Sequence, residues 1–433
     1  MASITKYEKY KESGIEWIGA VPEHWRIKRL KTLVLQKITD GPHETPELVD
    51  DEDSIPFISA EAITEIGINY DARGGNISFE QDKIYSLKCK PKRDDIFIVK
   101  SGSTTGRIGY VETDLNFNIW SPLALVRSNK QTSSRFLFHY LSSDCIQRQI
   151  QNTWSFGTQP NIGMGVIERL RLSIPSYIEQ IAIANYLDEQ TQKIDRLIAN
   201  KKVQAEKLKE LRQIEINNAV TKGLNPNAEM KDSGIDWLGS IPKHWEVKRL
   251  KELTIQNSEK STEINDDDFL VALENIESNT GKYLDTTSMY ENNGIKFRKW
   301  NLLYNKLRPY LNKVFQADRD GICVGDIIVI ECSSRLHPTF LQYRMLSEVF
   351  CSVIMSTVYG AKMPRTSWQF ISSLKIGYPP IEEQIQIAEY LQERTTAIDK
   401  LIQNVDKQIE KLQELRKITI YEAVTGKVCL NYD

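Results

Sequence analysis

An internal repeat constrains this chain more than any other feature of its sequence. Residues 12–31 read ESGIEWIGAVPEHWRIKRLK and residues 232–251 read DSGIDWLGSIPKHWEVKRLK, with twelve of twenty positions identical at an offset of 220. The segment EQIAIANYL at 179–187 recurs as EQIQIAEYL at 383–391, at an offset of 204. Residues 32–174 and 252–378, which lie between the repeats, barely resemble each other. The chain is therefore one frame used twice, carrying two different variable blocks.

The shared segments 176–220 and 380–424 are predicted to form long helices, since each follows a proline and ends near a glycine. Apolar residues that are spaced alternately four and three positions apart indicate the a/d seam of a coiled coil. In the second copy the seam is Leu391, Thr395, Ile398, Ile402, Val405, Ile409 and Leu412, and the pattern loosens beyond it. In the first copy it is Leu187, Thr191, Ile194, Ile198, Lys201, Ala205 and Leu208. If the two helices pair, the connectivity of the chain requires them to run antiparallel. The alternative is that each helix packs only on its own domain.

The expected fold class is α+β. Short β-rich runs such as Asp95–Val99, Leu123–Val126 and Asp326–Ile330 are separated by turn residues, and helical stretches follow late in each block. We expect two mixed α/β domains with twisted sheets, held apart by the two long helices in a pseudo-two-fold arrangement. The predicted divisions are module 1 (residues 1–174), a central helix segment (175–224), module 2 (225–378) and a C-terminal helix segment (379–433).

Charge limits where nucleic acid could bind. With 56 Lys+Arg against 58 Asp+Glu, the net charge of −2 excludes a uniformly basic binder, so any DNA surface must be a local patch. Residues 292–317 contain six basic and five aromatic residues and no acid. Basic side chains neutralise phosphates, and nearby Asn, Tyr and Arg can reach base edges. The candidates are Lys296, Lys299, Tyr304, Asn305, Lys306, Arg308 and Tyr310; a solvated amphipathic face with core aromatics is the competing interpretation.

Two further loop types supply candidates. The loop from Lys100 to Gly109 is rich in glycine and hydroxyl residues that allow close approach to phosphate; its candidates are Ser101, Thr104, Thr105 and Arg107. An ordinary hairpin turn is the simpler interpretation of that loop. Before each long helix a second loop carries a proline, and these prolines lie 204 residues apart. The polar side chains there suit purine edges, and the candidates are Thr158, Gln159, Asn161, Lys362 and Arg365. Ordinary polar turns compete with this reading.

Catalytic signatures are missing from the sequence. Residues 378–381 (Tyr-Pro-Pro-Ile) have the wrong flanks for the adenine-methyltransferase tetrapeptide, no P-loop is present, and the five histidines form no zinc motif. The sequence therefore predicts a non-catalytic chain without a metal site. Six cysteines without a CxxC pair and the lack of an apolar span favour a reduced, cytoplasmic protein away from membranes.

The repeated Ser-Gly-Ile-x-Trp-x-Gly-x-x-Pro-x-His-Trp element, the Glu-Gln-Ile helices and the segments 102–107 and 301–310 resemble the specificity subunits of type I restriction–modification enzymes. The resemblance covers nearly the whole chain. It implies that each module reads half of a bipartite double-stranded DNA target, while the paired helices dock two methylation subunits and restriction subunits are added to these.

The same resemblance implies that this chain binds no cofactor. S-adenosylmethionine would act in the methylation subunit, and ATP and Mg in the translocating restriction subunit. If the paired helices act as a ruler, the gap between the half-sites should follow helix length. A fused methyltransferase–specificity enzyme and a protein-binding scaffold are the alternatives, and the missing tetrapeptide argues against the first.

Overall fold

The computed structural model describes residues 4–51, 53–64, 67–72, 74–153, 160–261, 268–286, 293–356 and 363–430. The chain forms two compact units, residues 1–201 with 407–433 and residues 202–406. Unit 1 thus contains module 1 and unit 2 contains module 2, and each long helix contributes to both units. Among the described residues, no helix is long and apolar enough to span a membrane.

The first half of the chain is built from short strands and short helices that lead into one long helix. The strands are β1 (Ile4–Thr5), β2 (Tyr10–Glu12), β3 (Ala20–Pro22), β4 (Arg26–Arg29), β5 (Thr39–Asp40), β6 (Ile55–Ile58), β7 (Gly75–Ile77), β8 (Ile96–Val99), β9 (Ile108–Tyr110), β10 (Asn118–Ile119), β11 (Leu123–Val126) and β12 (Arg171–Ile174). The helices are α1 (Phe79–Ser86), α2 (Ser134–Leu141), α3 (Asp144–Gln151), α4 (Met164–Arg169) and the long α5 (Tyr177–Lys222).

The second half repeats this plan. Its strands are β13 (Met230–Asp232), β14 (Ser240–Pro242), β15 (Glu246–Arg249), β16 (Thr254–Asn257), β17 (Lys260–Ser261), β18 (Leu270–Val271), β19 (Gly294–Phe297), β20 (Leu302–Asn305), β21 (Val314–Gln316), β22 (Gly321–Cys323), β23 (Ile327–Cys332), β24 (Lys375–Tyr378) and β25 (Cys429–Leu430). Its helices are α6 (Pro338–Leu346), α7 (Glu348–Met355), α8 (Trp368–Ser373) and the long α9 (Ile381–Val424).

Both modules contain the same four-stranded antiparallel sheet, although their sequences barely match. The order is β5-β11-β8-β9 in module 1 and β16-β23-β20-β21 in module 2. A second sheet in each module holds one parallel pair, β6 with β10 and β18 with β22. The modules differ at the third strand, since β7 pairs with β6 in module 1 whereas β19 pairs with β22 in module 2.

The four-stranded sheets are buried on both faces. In β8, Ile96 and Ile98 pack in the core that contains α2 and α3, whereas Phe97 and Val99 pack in a second cluster with Phe117. Alternate side chains of a strand point to opposite faces, so a strand covered on both sides has a continuous apolar sequence. In β20 of module 2, residues 302 and 304 likewise belong to one core and residue 303 to another.

The duplicated Pro-x-His-Trp element anchors the start of each long helix. Trp25 and Trp245 are buried, and their indole Nε1 atoms donate to Glu179 at 3.4 Å and to Glu383 at 3.1 Å. The histidine before each tryptophan lies within 2.9 Å of the same carboxylate. Both tryptophans are therefore core residues that fix the first turns of the long helices.

Within each unit, part of α5 packs antiparallel on part of α9. In unit 2, Arg212 donates to Asp399 at 2.9 Å, and three residues further along α5, Glu215 accepts a 2.8 Å hydrogen bond from Tyr390, nearer the start of α9. In unit 1, Leu187 shares a core with the end of α9, and residues 195 and 416 form an ion pair of 2.8 Å. Every predicted seam position of both helices is buried or partly buried, which confirms the coiled-coil pattern.

Candidate nucleic-acid interface

In module 1, the loop between β8 and β9 is a compact turn closed by its own backbone. Gly106 N donates to Val99 O at 2.8 Å, and Arg107 N donates to Thr104 O at 3.0 Å. Gly106 has a φ of 91°, a backbone conformation that favours glycine, and a Cβ there would lie 2.7 Å from Gln147 Oε1, the end of a flexible side chain. The glycine-rich turn expected from the sequence is present, and its fixed backbone presents residues 101–107 as one surface.

The loop that precedes the long helix packs directly on this turn. Ser101 and Asn161 form a β-bridge, and Ile162 N donates to Lys100 O at 2.8 Å. The Thr105 hydroxyl donates to Pro160 O at 3.1 Å. The structure thus brings together two candidate segments that lie about sixty residues apart in the sequence, and the Asn161 side chain is exposed beside them.

Arg107 is exposed at the end of the turn, where its Nη1 donates to Ile63 O at 3.2 Å. Ser101, Thr104 and Thr105 are partly buried. Together with Asn161 they form a polar surface with one cation, a composition that suits contact with a DNA backbone and with base edges.

A buried carboxylate that the sequence reading missed lies beneath this surface. Asp40 forms an ion pair with Lys100, and it accepts from Lys88 at 2.6 Å and lies 3.1 Å from His43 Nε2. Burial raises the pKa of Asp40, but the hydrogen bonds from Lys100 and Lys88 outweigh it and hold the pKa below its ordinary value. Asp40 therefore stays ionised and fixes two lysines at the base of the loop. A single aspartate at the end of a two-residue strand carries no sequence signal for this role.

Module 2 has the same arrangement of two loops with different side chains. Leu307 and Arg365 form the bridge that corresponds to Ser101 and Asn161, and Thr366 N donates to Lys306 O at 3.0 Å. Arg308 N donates to Pro364 O at 2.7 Å. The two predicted loop regions of module 2 are therefore also brought together.

Arg308 occupies a left-handed backbone conformation, with φ 50° and ψ 61°. This conformation is unfavourable for a residue with a Cβ, and the residue before a proline is restricted further. The side chain is exposed, and Tyr310, two residues further on, is 49% exposed. Strained backbone at an exposed cation is a feature of functional sites.

Acidic side chains neutralise part of the positive charge in module 2. Asp326, at the start of β23, accepts from Arg365 at 2.9 Å and lies 3.3 Å from Lys306. Lys296 lies 3.3 Å from Glu259. Residues 292–317 contain no acidic residue, but in the fold acidic residues from other segments lie beside their lysines.

Lys296 and Lys299 lie away from the paired loops. They precede β20, whereas residues 306–310 follow it, so the strand separates the two groups. Lys299 stacks on the exposed Trp300, with 5.1 Å between its Nζ and the ring centroid, and its backbone N donates to Asp320 at 2.7 Å. The single basic patch expected from the sequence is thus divided between the two ends of the strand.

Tyr304 and Asn305 are each 1% exposed, so the structure corrects their assignment as DNA-contacting residues. Tyr304 belongs to the core of unit 2, and burial raises the pKa of its hydroxyl. The Asn305 side chain donates to Leu307 O at 2.6 Å and accepts from Leu307 N at 2.9 Å, which shapes the loop from within. The candidates Thr158, Gln159 and Lys362 lie outside the described residues.

Among the described residues, no group of His, Cys, Asp and Glu is arranged to hold a metal ion. The histidines that carry close partners, such as His139, whose Nε2 lies 2.6 Å from Asp188, are hydrogen-bonded to carboxylates within the fold. The chemistry that the described surface offers is recognition through hydrogen bonds and charge.

Comparisons with known proteins show the family and the fold of the chain. The family model for the type I restriction modification DNA specificity domain matches residues 22–207 and 242–411. The MjaVIII type I restriction enzyme specificity subunit of Methanocaldococcus jannaschii is 23% identical over 97% of this chain and 97% of its own length. The EcoDI specificity subunit of Escherichia coli is 25% identical over 68% of this chain and 70% of its own. A structure from work on assembly and conformational transition of the type I R-M system matches with a TM-score of 0.67 at 15% identity, covering 93% of this chain and 98% of that one, which shows the shared fold.

Proposed function

This chain belongs to the type I restriction modification DNA specificity family, and from that premise we propose that each module reads one half of a bipartite DNA target through its paired loops. The observation that carries the proposal is the recurrence of the same two-loop bridge, Ser101 with Asn161 and Leu307 with Arg365. Because the backbone arrangement is shared and the side chains differ, the two surfaces suit two different base sequences.

The proposed contacts divide by chemistry. In module 1, Arg107 and Asn161 present exposed side chains that can reach base edges, and the partly buried Ser101, Thr104 and Thr105 suit phosphate oxygens. In module 2, Arg308, Tyr310 and Arg365 hold the corresponding positions, with Lys306 beside them. Lys296 and Lys299 supply further phosphate contacts at the other end of β20. Methylation and cleavage belong to partner subunits, and with them S-adenosylmethionine, ATP and Mg.

The proposed partners are two methylation subunits and, through them, restriction subunits. Four exposed apolar positions recur at the offset of 204 on the two long helices: Ile181 and Ile385, Leu197 and Leu401, Leu211 and Leu415, Ile214 and Ile418. A single exposed apolar residue is ordinary. Four that recur at equivalent positions indicate two equivalent docking surfaces, and hence two copies of one partner.

The docking proposal is tested by native mass spectrometry of this chain with its methylation subunit. Leu401→Asp should reduce the bound methylation subunits from two to one, because it places a charge in one of the two surfaces. Val203→Asp is the matched control, since Val203 is exposed on the same helix pair but its counterpart is Lys407. Equal effects of both variants would contradict the proposal.

The recognition proposal is tested by methylome sequencing of cells that carry the complete system. Arg107→Ala should relax one half of the methylated motif, and Arg308→Gly should relax the other, each at a cost of about 1–3 kcal/mol in target discrimination. Arg308→Gly keeps the left-handed backbone and removes only the side chain. If one variant alters both half-sites, the modules read DNA jointly and the proposal is wrong.

A further inference from the structure

The last turn of each long helix accepts a hydrogen bond from a variable block. The final carbonyls of an α-helix have no partner within the helix. In unit 1, Val424 O at the end of α9 accepts a 3.2 Å hydrogen bond from the hydroxyl of Ser173 on β12. In unit 2, Val220 O in the last turn of α5 accepts a 3.1 Å hydrogen bond from Nη1 of Arg344 on α6. Val220 and Val424 are equivalent at the offset of 204, so the same carbonyl is capped in both copies.

The two caps are made by different side chains. Because the Ser173 hydroxyl donates to Val424, the Tyr140 hydroxyl donates to Ser173 Oγ at 2.9 Å, and it accepts from Ser173 N at 3.0 Å. In module 2, the positions equivalent to Tyr140 and Ser173 are Arg344 and Gly377. Glycine has no hydroxyl, and Arg344 reaches the helix end without a relay. Tyr140, Ser173 and Arg344 are all fully buried. The contact is therefore kept in both copies although its chemistry differs.

The packing around each cap differs in the same way. A Cβ on Gly377 would lie 3.3 Å from Ile241 Cγ2 and 3.4 Å from its Cδ1, which leaves little space for a side chain. In unit 1 the equivalent of Ile241, at the offset of 220, is the smaller Val21, which suits a serine at position 173. The matched sets are Tyr140, Ser173 and Val21 in unit 1 and Arg344, Gly377 and Ile241 in unit 2.

Arg344 carries a buried charge for which the described residues supply no carboxylate. Its Nε and Nη2 have no hydrogen-bond partner among those residues, and its guanidinium lies 5.4 Å from the ring centroid of Trp237. Burial lowers the pKa of Arg344 to about 10, so the side chain is still charged at neutral pH. Burying a charge without an opposite charge destabilises a fold, and an apolar side chain would fill the space better. What the arginine supplies is the hydrogen bond to Val220 O.

The capped carbonyl lies where α5 packs into unit 2. Helix α5 follows β12 of module 1, and its residues 216, 219 and 220 belong to the core of unit 2. Apolar contacts are non-directional, whereas a hydrogen bond requires one donor to face one carbonyl. A shift of α5 by one residue would move the helix by about 1.5 Å and turn it by about 100°, which would carry Val220 O away from Arg344. The hydrogen bond therefore selects one register of α5 against module 2.

We propose that Arg344 is a positioning residue, which fixes the register of α5 against module 2 and thereby the gap that the complex accepts between the two half-sites. The inference rests on the proposed function, because a gap exists only if each module reads its own half-site. Since α5 joins the two modules along the chain, a loosened register at its end allows module 2 more than one position. Duplexes with a longer or a shorter gap then bind almost as well as the native target.

The test uses the complete complex and duplexes that carry the methylome-defined motif with its native gap, or with a gap one base pair longer or shorter. Fluorescence anisotropy gives the dissociation constants, and the ratio between altered and native gaps measures gap discrimination. Arg344→Met removes the donor and keeps an apolar chain of similar length, and we expect it to lower this ratio about ten-fold. Arg344→Tyr should lower the ratio too, since Gly377 provides no relay. Arg344→Tyr with Gly377→Ser and Ile241→Val rebuilds the cap of unit 1 and should restore the wild-type ratio.

Tyr343→Phe is the matched control, because Tyr343 is the buried neighbour of Arg344 on α6 and its hydroxyl lies 3.0 Å from Thr395 Oγ1 on α9. It removes one buried hydrogen bond but leaves Val220 O capped, so it should lower hydrogen-exchange protection in unit 2 and leave the ratio unchanged. The inference is overturned if Arg344→Met weakens all duplexes equally or none, if Tyr343→Phe lowers the ratio as much, or if the triple variant does not restore it. If the wild-type complex itself binds every gap equally well, the proposed function fails as well.

Discussion

Because the helix seam occurs twice, the same arginine-to-alanine change can be made at a more buried and at a more exposed equivalent position. Arg212 in unit 2 and Arg416 in unit 1 are equivalent at the offset of 204, and each binds an aspartate of the other long helix. The side chains of Arg212 and Asp399 are 6% and 10% exposed, whereas those of Arg416 and Asp195 are 26% and 30% exposed. Arg212→Ala and Arg416→Ala therefore differ mainly in burial.

The structure gives the expected size of the difference. Removing one partner of a buried ion pair costs about 3–5 kcal/mol. Lys282 lies 2.7 Å from Asp399 and can still pair with it when Arg212 is removed. We therefore expect a cost at the lower end of this range. Arg212 also donates to the carbonyls of Asn279 and Thr280 at 2.9 and 3.2 Å, so its removal frees that loop of module 2. The more exposed pair in unit 1 should contribute about 1 kcal/mol or less.

Hydrogen exchange with mass spectrometry measures the two effects separately, because peptides from the two units are distinct. Arg212→Ala should reduce protection in residues 202–222 and 277–282 roughly a hundred-fold, since about 1.4 kcal/mol corresponds to ten-fold. Arg416→Ala should reduce protection near residue 195 less than ten-fold. The double variant Arg212→Met with Asp399→Leu should recover most of the lost protection in residues 202–222, but not in residues 277–282, because methionine cannot donate to the carbonyls of Asn279 and Thr280. Equal losses for the two single variants would refute the reasoning from burial.

Three further predictions concern a buried histidine, the left-handed Arg308 and the length of the long helices. Burial lowers the pKa of His139 below its ordinary value of 6.5, so on acidification the unfolded chain binds a proton before the folded chain does. The stability of unit 1 should therefore fall as the pH drops below about 6.5, by up to about 1.4 kcal/mol per pH unit. Urea denaturation at a series of pH values measures this, and His139→Gln should flatten that part of the profile. Arg308→Gly should leave the unfolding midpoint unchanged or raise stability by up to about 1 kcal/mol, because glycine accepts the left-handed backbone, while Arg308→Ala should not stabilise. Inserting four residues near Lys201 adds about 6 Å of helix against about 3.4 Å per base pair, and should lengthen the gap in the methylated motif by one or two base pairs; an active variant with the original gap would show that the helices are not the ruler.

The long helices were predictable because their signals are local. The expected segments 176–220 and 380–424 are Tyr177–Lys222 and Ile381–Val424 in the structure, and the steps of three and four residues identify the buried face. The seam pattern loosened after Leu208 and Leu412 for a physical reason. The next seam positions are Arg212 and Arg416, which are charged and enter the interface only because an aspartate of the other helix binds each of them.

The sheets of the modules were predictable only in part. Runs such as Ile96–Val99 identify strands. A strand that is covered on both faces is apolar throughout, however, so its sequence does not show which face packs against which layer of the module. The order of strands depends on pairings between distant segments, such as β5 with β11. The identical sheet order of the two modules therefore could not be read from sequences that scarcely match.

The proposed recognition loops can differ in their side chains without losing their shape. The loops are joined through main-chain atoms, Ile162 N to Lys100 O in module 1 and Thr366 N to Lys306 O in module 2. Main-chain hydrogen bonds do not depend on the identity of the side chain. The outward side chains at the bridge, Asn161 in one module and Arg365 in the other, are therefore free to differ. Since amide and guanidinium groups pair with different bases, one shared backbone arrangement can present two different recognition surfaces.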